Sequence, residues 1–188
     1  MNDTTFKNAT GLPAQGHVTS AYDIALMSRE LILHHPDIRQ YTTIWMDSLR
    51  DGKTSLVNTN KLVRTYDGIL GGKTGTTDGA GCCLTVCAER GGMRLVAVVL
   101  GCGEDPARFD RAEELLDYGF TGFEKYTPTV DSRELKPVPV TRGESPEVRP
   151  MVSALGECVI KKGRSSGVKY SYTFVEGCLL YTSPSPRD

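Results

Sequence analysis

Residues 68–101 read GILGGKTGTTDGAGCCLTVCAERGGMRLVAVVLG and hold three strand-like runs separated by short glycine-containing spacers. The runs GILGGKTG, CCLTVCAER and MRLVAVVLG are typical of consecutive antiparallel strands. Only Gly91 and Gly92 separate the last two runs, and glycine tolerates the positive φ angles of a two-residue hairpin. Every position from Val96 to Leu100 is apolar, which predicts a central strand covered on both faces.

Helices are predicted on both sides of these strands in the sequence. The segment from Thr19 to His34 starts with a capping box of Ser20 and Asp23, and Pro36 ends it. A short strand-like piece, Thr54 to Val57, follows this helix. The apolar face of the helix is predicted to comprise Ile24, Met27 and Leu31.

After the strands, the sequence predicts a second helix. Asp105 and Pro106 are its predicted N-cap and first residue, and it runs to about Phe120. Helices before and after an antiparallel sheet indicate an α+β fold. The residues predicted to share one buried face of this helix are Phe109, Ala112 and Leu116.

The composition changes at Tyr126, where prolines become frequent and short alternating runs such as KPVPV and KYSYTFV appear. This change predicts a linker into a β-rich unit. We therefore divide the chain into a first domain of residues 1–125 and a truncated β-rich domain of residues 126–177. The last eleven residues, 178–188, read CLLYTSPSPRD; they resemble the translation of a transposase-type sequencing adapter, and we leave them out of the fold prediction.

Charge and apolar content exclude some classes of function. The net charge of −1 gives no bulk affinity for polyanions, so the sequence predicts no nucleic-acid partner. No apolar run reaches the roughly 18 residues that a membrane-spanning helix needs. The N-terminal residues lack the basic start and apolar core of a secretion signal.

Neither a metal site nor a cofactor is predicted. The histidines do not share the i, i+4 spacing of a metal-binding helix face, and the cysteines match no paired C-x-x-C zinc pattern. Buried free thiols are the favoured interpretation of the cysteines, and a cross-strand disulfide is the alternative. The cysteines concerned are Cys82, Cys83, Cys87, Cys102 and Cys158.

The tripeptide Lys73-Thr74-Gly75 has two functional interpretations. A phosphate-binding P-loop would need glycine at position 67, where the chain has Asp67, and it would lead into a helix rather than a strand. The alternative is the K-T-G element of the penicillin-binding and serine β-lactamase fold, which lies on an edge strand. Such a strand binds a peptide-like ligand by strand addition, and the lysine supplies a fixed charge. Gly71 and Gly72 are predicted to let the ligand approach the backbone.

Three longer stretches resemble the serine-type D-alanyl-D-alanine carboxypeptidases of peptidase family S11, which are low-molecular-mass penicillin-binding proteins. They are FKNATGLPAQGHVTSAYDIALMSRELI, LVNTNKLVRTYDGILGGKTGTTDGAGCCLTVCAERGGMRLVAVVLG and LLDYGF. The resemblance runs from Asn2 to about Phe123. It implies a partial β-lactamase/transpeptidase-like domain, followed by the start of the β-rich C-terminal domain of that family.

The resemblance also implies a reaction and a location. Members remove the terminal D-alanine from peptidoglycan stem peptides through an acylated serine, are inhibited by β-lactams, and are extracytoplasmic and membrane-associated. Their serine lies in an S-x-x-K motif and a second motif is S-x-N, but no S-x-x-K precedes the strands here. We therefore expect both motifs, and the parts that associate with the membrane, to lie outside this chain. The 188-residue chain is then expected to be an inactive fragment.

The residues that match family site positions are few. Lys73 is the predicted catalytic residue, and Thr74 and Gly75 complete the K-T-G motif. Thr76 matches a residue whose backbone N–H stabilises an oxyanion. Arg108 matches an arginine that holds the terminal carboxylate of the substrate, and we expect it to reach the groove from the same side of the sheet as Lys73. The alternative for Arg108 is a solvated side chain paired with an acidic neighbour, Glu104 or Asp105.

Two other functions are compatible with the sequence. The chain could be a non-catalytic cell-wall module that holds D-alanine-terminated peptides on the K-T-G strand. A β-lactamase or transpeptidase of the same fold is the nearest enzymatic alternative, and the β-rich segment after Tyr126 favours the carboxypeptidase.

Overall fold

The computed structural model describes residues 1–131, 133, 135–140, 144–151, 156–169 and 171. Its elements confirm the predicted α+β class. They are α1 (Ala21–His34), a 3-10 turn (Pro36–Ile38), α2 (Arg39–Thr42), β1 (Met46–Leu49), β2 (Thr54–Val57), α3 (Leu62–Thr65), β3 (Ile69–Thr77), β4 (Gly81–Arg90), β5 (Met93–Cys102), α4 (Asp105–Gly122), β6 (Phe123–Tyr126), β7 (Val138–Pro139), β8 (Glu147–Val148), β9 (Cys158–Lys161) and a 3-10 turn (Ser165–Gly167).

The main sheet is antiparallel and has the order β3-β4-β5. The three predicted strands are confirmed, and Gly91 and Gly92 both have the positive φ angles expected of the hairpin, 56° and 74°. The prediction that Val96 to Leu100 form the central strand is wrong. Strand β4 takes that place because it pairs with β3 on one side and β5 on the other. Within the described residues, β5 is an edge strand.

Helix α4 covers one face of the sheet. Its residues Phe109 and Leu116 pack against Leu84 and Val86 of β4, and these four side chains belong to one buried cluster. Full burial of an apolar side chain of this size contributes about 1.5–3 kcal/mol. The predicted apolar face of α4 is therefore confirmed. The other members of the cluster are Leu62, Ala88, Ala97 and Ala112.

Helix α1 covers the opposite face of the sheet. Its Ser28 hydroxyl lies 3.1 Å from the Thr85 hydroxyl, and Thr85 alternates along β4 with residues that face α4. The predicted N-cap is confirmed, since the Ser20 side chain accepts a hydrogen bond from the Asp23 amide. The predicted apolar face is wrong: Met27 and Leu31 are exposed.

The buried residues of α1 lie on a different face of the helix from the predicted one. Ser28 and Ile32 are buried, and each lies one position after the predicted Met27 and Leu31. One residue corresponds to a rotation of about 100° around a helix. The contact between Ser28 and Thr85 favours this orientation, and it uses a polar residue that an apolar pattern does not reveal.

Helix α4 begins one residue earlier than predicted, at Asp105 rather than Pro106. Its N-cap is Glu104, which makes no capping hydrogen bond through its side chain. The Asp105 carboxylate, which was expected to cap the helix, instead forms an ion pair with Arg108. The ion pair with Arg108 explains why Asp105 is the first residue of the helix rather than its N-cap.

The remaining strands of the described residues form three small two-stranded sheets, β1-β2, β6-β9 and β7-β8. The predicted strand Thr54–Val57 is confirmed as β2. The predicted domain boundary after residue 125 falls within β6, which pairs with β9 of the β-rich segment. Residues 178–188 lie outside the described residues. Among the described residues, no helix combines the length and the apolar character needed to span a bilayer.

Candidate functional site

Residues 73–76 lie on β3, and in the part of the chain that the structure describes this strand pairs along only one of its sides, with β4. Backbone groups of alternate residues on an edge strand point away from the sheet, where an extended ligand can pair with them. The prediction that the K-T-G tripeptide lies on an edge strand agrees with this arrangement. Lys73 is exposed, and its Nζ donates a hydrogen bond to the carbonyl oxygen of Thr74.

The start of β3 is fixed by a contact that requires glycine. Gly71 has a φ of 109°, and a Cβ atom there would lie 2.1 Å from the Thr42 hydroxyl oxygen. That hydroxyl lies 3.2 Å from the carbonyl oxygens of Ile38 and Leu70, and so holds α2 against β3. A Cβ on Gly72 would lie 2.1 Å from the Thr85 carbonyl oxygen. These glycines therefore allow the close approach of Thr42 and β4. That they also let a ligand approach the backbone stays a prediction.

Thr59, a loop residue, places a further hydroxyl group beside Thr74 of the candidate site. The Thr59 and Thr74 hydroxyl oxygens are 2.6 Å apart. The neighbouring Asn58 amide fixes the loop, because it donates to the carbonyl oxygens of Thr42 and Ile44 and its own oxygen accepts from the Asn60 backbone N–H. The Thr74 side chain is thus oriented before any ligand arrives.

Arg108 is the most constrained of the predicted site residues. It is only 4% exposed, and its Nη1 donates to the Gly75 carbonyl at 3.2 Å, the Thr76 hydroxyl at 3.1 Å and the Cys83 carbonyl at 3.2 Å. Its Nη2 pairs with Asp105, whose side chain is half exposed. The pairing that the sequence left open is therefore present, but the guanidinium is buried rather than solvated. It joins α4 to β3 and β4 directly beside the candidate site.

Lys73 and Arg108 lie on opposite faces of the sheet. Lys73 is directly opposite Thr85, which contacts α1, whereas Arg108 binds the Thr76 hydroxyl from the side of α4. Side chains alternate along a strand, so positions 73 and 76 point to different faces. The expectation that both cations enter one groove from the same side is wrong. They flank the free edge of β3 from its two sides.

This arrangement has a definite chemical capacity. The free edge offers backbone donors and acceptors to an extended peptide, and the Thr74 and Thr76 hydroxyls lie on the Arg108 side. An ammonium group lies on the other side of the same edge. Fixed donors of this kind stabilise a negative charge that develops on a bound carbonyl oxygen, because they need no reorganisation.

Sequence reasoning missed several residues that position the site. In the sequence, Asn58 and Asn60 indicate only a turn, and Thr42 and Thr59 belong to no motif. Asp105 was interpreted as a cap. The signal in the sequence was the Asn58-Thr59-Asn60 run, since asparagine side chains frequently bond to nearby backbone groups and fix a loop.

Comparisons with known proteins agree on one family. The family model of D-alanyl-D-alanine carboxypeptidases, peptidase S11, matches residues 1–104. The D-alanyl-D-alanine carboxypeptidase DacF of Bacillus subtilis is 37% identical over 166 residues, which cover 87% of this chain and 42% of DacF. The matched range of the family model contains Lys73 to Thr76 and ends shortly before Arg108.

Two solved structures are similar in fold. Penicillin-binding protein 5 from Haemophilus influenzae matches with a TM-score of 0.73 and 27% identity, over 88% of this chain and 48% of that protein. Penicillin-binding protein D2 from Listeria monocytogenes, in its cefotaxime-bound form, matches with a TM-score of 0.58 and 39% identity, over 62% of this chain and 48% of that protein. The chain thus spans less than half the length of each of the three proteins named.

Proposed function

Because this chain belongs to the D-alanyl-D-alanine carboxypeptidase family, peptidase S11, we propose that it supplies the K-T-G side of a serine carboxypeptidase site. The substrate is a peptidoglycan stem peptide that ends in D-Ala-D-Ala, and the reaction releases the terminal D-alanine through an acyl-enzyme. The observation that carries this proposal is the free edge of β3, with Lys73 on one side and Thr76 tied to Arg108 on the other.

Each residue of this edge has a role in the proposal. Lys73 is the catalytic cation, which orients the peptide and assists proton transfer near the serine. The Thr74 hydroxyl and the Gly75 backbone bind the peptide by strand addition. The Thr76 backbone N–H donates to the oxyanion. Arg108 attracts the terminal carboxylate of the substrate to this end of the strand.

The proposal places the serine nucleophile outside these 188 residues. The S-x-x-K pattern occurs in the chain at Ser166 to Lys169, after β9, and not before the strands where the family resemblance would place it. The partial coverage of the relatives is consistent with a nucleophile in another part of a longer protein. By itself the chain is then inactive. The longer protein acts outside the cytoplasm on the cell wall and binds β-lactams as inhibitors.

A fluorescent penicillin tests the proposal. The longer protein encoded by the gene should be labelled covalently, whereas the 188-residue chain should not be labelled. The substitution Lys73→Ala should strongly reduce labelling, and Lys53→Ala, on the exposed turn between β1 and β2, should leave it unchanged. Labelling of the longer protein that is insensitive to Lys73→Ala would remove this lysine from the site. Absence of labelling in a folded longer protein would refute the proposed activity.

A further inference from the structure

Two cysteines lie directly opposite each other at the end of the main sheet. Cys82 of β4 and Cys102 of β5 are register partners. Residues that face each other in antiparallel strands have Cα atoms about 4.5–5.5 Å apart, and a disulfide spans Cα distances of about 4.4–6.8 Å. We propose that Cys82 and Cys102 are a disulfide site, which closes when the chain meets a small-molecule disulfide oxidant.

The other described cysteines are poorly placed to compete for either thiol. Cys83 and Cys87 share the face of β4 that carries Thr85, so their side chains point toward α1, away from Cys82. Burial raises the pKa of the Cys87 thiol from 9.0 to about 11, which keeps it protonated and a weak nucleophile. Cys158 lies on β9, where its thiol contacts the Tyr126 carbonyl oxygen.

An oxidant can reach one of the two thiols. Cys102 is half-buried and lines an open groove of about 480 Å³ between β5 and α4, together with Val98, Arg111 and Leu115. Cys82 is 8% exposed. The accessible thiol therefore reacts first, and the buried thiol completes the reaction.

The reaction is a two-step thiol–disulfide exchange. The Cys102 thiolate attacks one sulfur of the oxidant, forms a mixed disulfide and releases the other half of the oxidant as a thiolate. The Cys82 sulfur, after it loses its proton, attacks the Cys102 sulfur and releases the second half. In total, two protein thiols become one disulfide, and the oxidant is reduced to two thiols.

The position of this disulfide connects it to the candidate site. Cys82 is directly opposite Thr76, and the Thr76 hydroxyl lies 3.9 Å from the Cys82 sulfur. Cys102 lies two residues before Glu104, the N-cap of α4, which carries Arg108. A bond between these cysteines would connect β4 to the end of β5. One end of the bond would lie opposite Thr76, and the other would lie just before the helix that carries Arg108. Bond formation does not depend on the proposed carboxypeptidase activity.

The test uses the 188-residue chain with Cys178→Ser, since Cys178 lies outside the described residues. The reduced chain is treated with increasing concentrations of oxidised glutathione and analysed by intact-mass measurement. We expect the mass of the chain to decrease by that of two hydrogen atoms, and the number of thiols that can be alkylated to decrease by two. After tryptic digestion, the disulfide should join the peptide of residues 74–90 to the peptide of residues 95–108.

Variants assign the bond within these peptides. Cys102→Ser and Cys82→Ala should each abolish the loss of two hydrogens, and the matched controls Cys83→Ser and Cys87→Ser should retain it. Because Cys82 is buried, Cys102→Ser carries the test if the Cys82 variant does not fold, as judged by circular dichroism. Formation should also be at least tenfold faster in native buffer than in urea, because the sheet holds the two thiols together.

Three outcomes would overturn the proposal. The first is a disulfide that maps to Cys83, Cys87 or Cys158. The second is mixed disulfides with glutathione that never resolve into an internal bond. The third is equal rates of formation in native buffer and in urea, which would mean that the fold does not bring the thiols together.

Discussion

Replacement of Arg108 by methionine should destabilise the protein strongly. The substitution keeps most of the buried volume but removes the donor that serves the Gly75 carbonyl, the Thr76 hydroxyl and the Cys83 carbonyl. Removal of a hydrogen bond to a charged group costs about 1.5–3 kcal/mol. Because a single nitrogen, Nη1 of Arg108, donates to all three acceptors, we count its removal as the loss of between one and two such hydrogen bonds. The half-exposed Asp105 returns to water at little further cost.

The expected decrease in the free energy of unfolding is about 3 kcal/mol, or roughly 6–12 °C in melting temperature for a chain of this size. Urea unfolding, followed by circular dichroism, measures the free energy of unfolding of each variant. Arg111→Met is the matched control, since Arg111 lies on the same helix with an exposed side chain and should change stability by less than about 0.5 kcal/mol. Equal stability of the two variants would refute the inference that Arg108 holds β3 and β4 to α4.

Three further results are expected from single substitutions. Gly71→Ala should lower the free energy of unfolding by about 2–4 kcal/mol, because it combines a positive φ with a steric clash, whereas Gly75→Ala, with open space around it, should change it by less than about 1 kcal/mol. In the longer protein, Thr59→Val should slow penicillin labelling because the Thr74 hydroxyl loses its partner, and Thr59→Ser should restore the rate. The raised pKa of Cys87 means that the folded state keeps this proton while the unfolded chain loses it, so stability should fall between about pH 9 and 11, and Cys87→Ala should remove that contribution in reducing buffer.

The strands and α4 could be predicted because their signals are local. The glycine pair at 91 and 92 defines a hairpin without reference to the rest of the chain, and the face of α4 follows from a regular apolar spacing. The orientation of α1 could not be predicted this way. It rests on the polar contact between Ser28 and Thr85, which are 57 residues apart in sequence.

The candidate site was predictable in part. The K-T-G tripeptide and its edge position follow from a motif and from the strand pattern. The residues that contact this strand could not be predicted in the same way. Thr59 contacts β3 from a loop and Thr42 from a short helix, and neither segment has a periodic sequence pattern. The side of the sheet on which Arg108 lies could not be predicted either, because it depends on contacts with Gly75, Thr76 and Cys83, which are 25 to 33 residues away in sequence.

The opposite placement of Lys73 and Arg108 is compatible with the strand addition that we propose for β3. Strand addition requires a backbone that does not move when the ligand arrives, since any ordering at that moment reduces the affinity. Arg108 supplies this rigidity by holding β3 and β4 from the α4 side, and for that purpose it is buried. Lys73 makes no such tertiary contact among the described hydrogen bonds and ion pairs, and its ammonium bonds only to the neighbouring Thr74 carbonyl. The buried cation of Arg108 is therefore fixed on one face of the sheet, and the exposed cation of Lys73 lies on the other face, where the proposed function needs it.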